Sequence, residues 1–221
     1  MASKGRFVVL EGIDGCGKTT QIQALQEWLP GSGLIPPGKQ LIVTREPGGT
    51  AFGETLRGLL LHPPAHQVPE ERAELLLYAA DRAQHVAERI APSLAAGHWV
   101  LSDRFSGSTE AYQGHGRGLP LEAIRQLERF ATAGLRPDLT LWLDLPLEDA
   151  LERRRHRSGD RIEAEGEAFL ARVHRGFQAL AAEAAWWRVE ATGDLAAVSE
   201  RCRQALRVRF AAADAPPVSH G

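Results

Sequence analysis

Residues 12–20 read Gly-Ile-Asp-Gly-Cys-Gly-Lys-Thr-Thr, the stretch of the chain best equipped for chemistry. Gly12, Gly17, Lys18 and Thr19 stand at the spacing G-x-x-x-x-G-K-T, which is a phosphate-binding loop. Glycines allow consecutive backbone N–H groups to turn inward onto phosphate oxygens, with Ile13, Asp14, Gly15 and Cys16 forming the curve. Lys18 is placed to reach the outer phosphates, and the Thr19 hydroxyl to ligate Mg²⁺. Thr20 continues into a helix whose N-terminus adds partial positive charge.

A second set of residues suits another anionic ligand. Arg45 ends a predicted strand, Arg57 lies twelve residues later on a helix, and Arg104 follows Asp103 at another strand end. Open parallel sheets bind ligands at the carboxyl ends of their strands. One phosphate in the loop does not need three arginines, although Arg57 alone would read as a solvated side chain. Tyr78 and Arg82 are four apart and share a helix face, able to stack on a planar base and bond its edge. Thr109 and Gln113 repeat that spacing, with Tyr112 between them. A Gln amide both donates and accepts, so it can read a pyrimidine edge. Tyr78 alone would read as a core residue. A third set is Arg153-Arg154-Arg155-His156-Arg157, then Arg161, with only Glu152 and Asp160 near enough to neutralise it locally. The phosphate loop has no arginine of its own.

The elements that must position these groups alternate between strand and helix, which predicts an α/β fold with a parallel sheet. Predicted strands are 6–11, 41–44, 98–102, 139–143 and 187–190. Predicted helices are 18–29, 51–61, about 70–96 with a kink at Pro92, 121–133, 147–155, 168–185 and 195–210. Gly114, Gly116 and Gly118 mark a loop. The pair Trp186-Trp187 reads as packing, and the eight histidines show no metal-ligand spacing.

With 221 residues, 43% hydrophobic and 24% charged, the chain suits one globular domain. Its net charge of −2 gives no pull toward nucleic acid or membrane. The positive charge is nearly all arginine, Lys4, Lys18 and Lys39 being the only lysines. Cys16 and Cys202 do not make a disulfide framework, and no run is long enough to span a membrane. These features predict a cytoplasmic protein.

Seven motifs in order resemble thymidylate kinases over nearly the whole chain: Glu11–Thr20, Thr44–Thr50, Tyr78–Arg82, Asp103-Arg104-Phe105, Ala111–Gly114, Arg136–Thr140 and Asp160–Glu163. The resemblance implies a P-loop NTPase fold with a five-stranded parallel sheet, transfer of the ATP γ-phosphoryl group to dTMP with Mg²⁺, and a homodimer. By resemblance, Asp14 contacts the sugar and helps order the acceptor phosphate, which Arg45, Arg57 and Arg104 hold. Tyr78 stacks on thymine, where the family often has Phe. Arg82 and Gln113 read the base edge with Thr109 nearby, and Tyr112 disfavours a ribose hydroxyl. The expected metal ligands are Thr19 and Asp103. The expected catalytic groups are Lys18, Arg104, Arg153 and Arg157, the last two on a lid at about 153–167. Residues 1–210 form the expected single domain, and 211–221 a frayed tail. The rivals are another pyrimidine monophosphate kinase and a P-loop switch or partition ATPase. The chain contains no asparagine, so the Asn-Lys-x-Asp motif of a guanine-reading switch is absent.

Overall fold

A computed structural model describes residues 5–64, 66–155, 161–162 and 165–211. Five strands pair in the order β2-β3-β1-β4-β5, every pairing parallel: β1 Phe7–Glu11, β2 Leu41–Arg45, β3 Trp99–Asp103, β4 Leu139–Asp144 and β5 Trp187–Glu190. β1 is buried along its whole length because it is central and covered on both faces. Its side chains alternate between two cores. Val8 and Leu10 belong to the core that holds Leu25 and Leu206, whereas Phe7 and Val9 belong to the one that holds Val86 and Ile90.

The connections leave β1 toward β2 and β3 on one side and toward β4 and β5 on the other. The carboxyl end of β1 is therefore where the strand order reverses, and a crevice opens there. Into it run the phosphate loop, α1 (Lys18–Trp28) and the loop after β2. That loop leads into α2 (Ala51–Leu61), whose first turn is capped by the Thr50 hydroxyl accepting from Gly53 N–H at 3.0 Å. α3 (Glu71–His85) packs on α2 and supplies the crevice wall.

The helix predicted from about 70 to 96 is not one regular helix. α3 stops at His85, a π-helical turn spans Val86–Ile90, and α4 covers Ala91–Ala95. The break precedes Pro92, which sits in the first turn of α4, where its missing N–H costs nothing. The loop predicted at Gly114–Gly118 is also corrected. After the short α5 (Ser106–Thr109), a π-helical turn spans Glu110–Gly116. There glycine serves close approach: a Cβ on Gly116 would lie 2.7 Å from Phe169. Of the three glycines, only Gly118 lies beyond the turn, with φ 84°.

α6 (Leu121–Ala131) ends before its predicted limit, where Ala133 turns to φ 49°. α7 (Leu147–Arg154), α8 (Glu167–Glu183) and α9 (Leu195–Ala211) complete the chain. Ala211 is helical rather than part of a tail, and 212–221 lie outside the described residues. Trp186 packs against Gly107.

Candidate functional site

The phosphate loop closes on its own lysine. Lys18, almost wholly buried, donates from Nζ to the carbonyls of Gly12 at 2.9 Å and Ile13 at 3.1 Å. Gly17 precedes α1 in the left-handed region (φ 98°), a conformation that leaves the helix N-terminus open toward the crevice. At the crevice floor the Thr19 hydroxyl lies 3.4 Å from Asp103 Oδ2. Asp103 Oδ1 is buried with no hydrogen-bond partner among the described residues. A hydroxyl beside an unsatisfied carboxylate oxygen fits Mg²⁺, which takes one or two protein ligands and completes its shell with water and phosphate. No cluster of three His, Cys, Asp or Glu suited to a metal occurs among the described residues.

Two spaces meet at this floor. A cleft of about 520 Å³ runs along Gly15, Lys18, Thr19, Thr20 and Arg45, and a smaller cavity of about 110 Å³ reaches between α3 and the π-helical turn. Asp14, Glu46, Arg57 and Arg104 line both, so a group bound there would face each. The structure thus brings Arg57 and Arg104 together. Arg45 stays on the cleft rim, half exposed and paired with Glu54 Oε1 at 2.7 Å. Arg57 donates to the Pro47 carbonyl at 2.9 Å.

Arg104 is held in the left-handed region (φ 74°), where a side chain persists only if its surroundings fix it. They do. It donates to Ser108 Oγ at 2.7 Å and to Asp14, and stacks on Tyr112 with its guanidinium carbon 5.1 Å from the ring centre. The Tyr112 hydroxyl donates to Asp14 Oδ2 at 2.7 Å. Burial alone would raise the Asp14 carboxyl, but Arg104 and Lys18 outweigh it, and its pKa lies well below the usual range. Burial, then Asp14, push the Tyr112 phenol upward, so it stays protonated. Glu11, wholly buried, accepts from Phe105 N–H and from the N–H and hydroxyl of Ser108, and so shapes the turn that aims Arg104.

The smaller cavity holds Tyr78, Arg82, Thr109, Tyr112 and Gln113 together, with Ile162 on its wall. Arg82 is more committed to protein than a free base-reader would be. It donates to Glu46 Oε2 at 2.7 Å, Thr109 Oγ1 at 2.8 Å and Glu128 Oε1 at 2.6 Å. Gln113 donates from Nε2 to Glu74 Oε1 at 2.8 Å. Sequence reasoning missed Glu46, Glu74 and Glu128, the carboxylates that hold these groups. Glu46 could have been found, since it follows Arg45 directly. The others occupy helix positions with no distinguishing pattern.

Of the lid arginines, Arg153 is exposed at the end of α7, and Arg157 lies outside the described residues. Arg154 approaches the phosphate loop: its Cγ would lie 3.2 Å from a Cβ on Gly15.

A profile of the thymidylate kinase family matches residues 10–202. Among curated proteins, the thymidylate kinase of Synechococcus sp. (strain RCC307) is 68% identical over 86% of this chain and 89% of its own. That of Prochlorococcus marinus (strain MIT 9313) is 62% identical over 93% of this chain and 95% of its own. That of Synechococcus sp. (strain WH7803) is 64% identical over 92% and 95%.

Proposed function

The chain belongs to the thymidylate kinase family, and on that premise we propose how it transfers the γ-phosphoryl group of ATP to dTMP, giving dTDP and ADP for nucleotide biosynthesis. One observation carries the reading: the phosphate-loop cleft and a base-sized cavity share Asp14, Arg57 and Arg104. ATP lies along Gly12–Thr20 with its outer phosphates at Lys18. dTMP enters the smaller cavity with thymine against Tyr78, its edge toward Arg82, Thr109 and Gln113, its sugar toward Asp14 and Tyr112, and its phosphate toward Arg57 and Arg104, with Arg45 at the rim.

A dTMP phosphate oxygen attacks the γ-phosphorus, the bond to the β,γ-bridging oxygen breaks, and ADP leaves. The protein supplies alignment and positive charge rather than covalent chemistry. Lys18 and Arg104 meet the transferring group, and Arg153 or Arg157 complete its neutralisation from a lid at about 153–167. Thr19 and Asp103 would hold Mg²⁺, which would supply positive charge to offset that of the phosphates.

Residues 1–210 act as one domain. We assign a homodimer through α2, α3 and α6, supported by the exposed Phe52, Leu59, Leu76 and Phe130 on those helices. The working compartment is the cytoplasm. No described helix is long and apolar enough to cross a membrane.

The rival monophosphate kinases are disfavoured by the Tyr112–Asp14 pairing beside the sugar position, and a switch protein by the second, arginine-lined cavity. Anion-exchange analysis after incubation with ATP and dTMP tests the reading. Wild type should give equal amounts of dTDP and ADP, and Lys18→Ala neither. ADP without dTDP would mean hydrolysis and refute the transfer.

A further inference from the structure

We infer that Glu74 sets the sense of the base-reading amide. It holds the Gln113 NH₂ group away from the cavity and leaves the carbonyl facing in, so the site selects bases that offer an N–H donor there. This deepens the reading of the smaller cavity as the dTMP site and rests on it.

Glu74 is wholly buried on α3 and is not part of the cavity wall. Its carboxylate takes bonds from three sides: Gln113 Nε2 at 2.8 Å, Arg117 Nη2 at 3.1 Å, and Arg161. Burial would push its pKa up, but Arg117, Arg161 and Gln113 prevail and hold it below the ordinary value. An ionised carboxylate only accepts. The Gln113 atom facing it must therefore be the nitrogen. The amide is planar with its oxygen at the other fork, and Gln113 lines the cavity. An amide oxygen there accepts from the imide N–H of thymine. Against cytosine, whose ring nitrogen at that place is itself an acceptor, two lone pairs would meet.

The same carboxylate anchors the chain where it re-enters the cavity wall. Arg161 donates from its backbone N–H to Leu61 O at 3.2 Å and from Nε to Leu60 O at 2.9 Å. Its neighbour Ile162 is buried against the cavity. Arg117, the second partner of Glu74, also pairs with Glu165 Oε1 at 2.6 Å. Base sense and the seating of Ile162 thus share one charge.

The test compares kcat/KM for dTMP and 5-methyl-dCMP, which differ only at the ring edge Gln113 faces and its neighbouring substituent. Four proteins are compared: wild type, Glu74→Gln, Gln113→Leu and the double variant. The neutral amide that Glu74→Gln introduces can donate as well as accept, so the Gln113 amide is free to flip. Glu74→Gln should lower the dTMP preference at least tenfold, through a higher KM for dTMP with kcat within threefold. In the Gln113→Leu background the same change should move the preference less than twofold. An unchanged preference in the single variant, or an equal loss in both backgrounds, overturns the inference. A wild type that does not phosphorylate dTMP overturns instead the reading of the cavity. If Glu74→Gln lacks a native circular dichroism spectrum, wild type carries the test with 3-deaza-dTMP, in which the N–H is replaced by C–H. It should bind at least tenfold more weakly than dTMP, and equal binding refutes the assigned sense.

Discussion

Asp81 is the carboxylate whose removal should stabilise the protein. It is 1% exposed and accepts the Gly48 N–H at 3.0 Å, tying α3 to the loop after β2. Burial, then repulsion from Glu46, push its pKa from the ordinary 3.8 up to about 6, although Gly48, Arg82 and His85 pull the other way. A carboxyl raised by folding costs nothing below its unfolded pKa. The cost grows as pH rises from about 4 to 6 and is constant above, because over that window the native state must hold a proton the unfolded chain has released. At about 1.4 kcal/mol per pH unit, the full cost is about 3 kcal/mol. Asp81→Asn removes it while keeping an oxygen for Gly48 N–H. The weaker acceptor gives back about 1 kcal/mol. The net gain at pH 7.5 is about 2 kcal/mol, a rise in Tm of roughly 4–8 °C for a chain of this size. At pH 4.5 the gain should be about 2 kcal/mol smaller and so near zero. Thermal unfolding at both pH values and one fixed protein concentration reads this out. A variant destabilised equally at the two pH values would refute the charge argument.

Gly49→Ala would place a Cβ 2.3 Å from the His85 ring, which cannot yield because both its nitrogens are bonded, to Thr44 at 2.7 Å and Glu46 at 2.8 Å. It should cost about 1–3 kcal/mol in denaturant unfolding and raise KM for dTMP more than for ATP. Tyr112→Phe keeps the packing against Phe169 and Phe177 but removes the hydroxyl on Asp14. It should lower kcat/KM for dTMP about tenfold, equivalent to about 1.4 kcal/mol, and narrow the preference over a ribonucleotide in steady-state assays. Arg153→Ala and Arg157→Ala test the lid, with Arg175→Ala on the exposed face of α8 as control. The catalytic one should lose about 10³-fold or more in kcat, and losses under tenfold in both would move the charge elsewhere.

The phosphate loop and sheet were legible because their signals are local. Glycines at fixed offsets and short apolar runs need no partner to be recognised, and β5 and α2 fall at their predicted limits. The two π-helical turns were not legible. Val86–Ile90 and Glu110–Gly116 arise where tertiary packing widens a helix, and glycines chosen for close approach to Phe169 and Leu121 resemble loop glycines. The site was legible as a set of residue types, less so as a geometry. Arg82 reads from sequence as a free guanidinium, yet Glu46 and Glu128 hold it from 36 and 46 residues away. No periodicity marks such pairings, because each buried carboxylate is set by the cation it meets in space.

The central claim is that the cavity beside the phosphate loop selects a 2′-deoxy nucleotide carrying an imide base. The most direct measurement is kcat/KM with saturating ATP and Mg²⁺ for dTMP, dUMP, UMP, CMP and dGMP in one coupled assay. The account predicts dTMP first, dUMP next, and UMP, CMP and dGMP at least about 10²-fold lower: CMP and dGMP because a site built of buried polar groups strongly rejects a base that leaves them unpaired, UMP because its 2′-hydroxyl meets Tyr112. CMP or UMP turned over as fast as dTMP would contradict it.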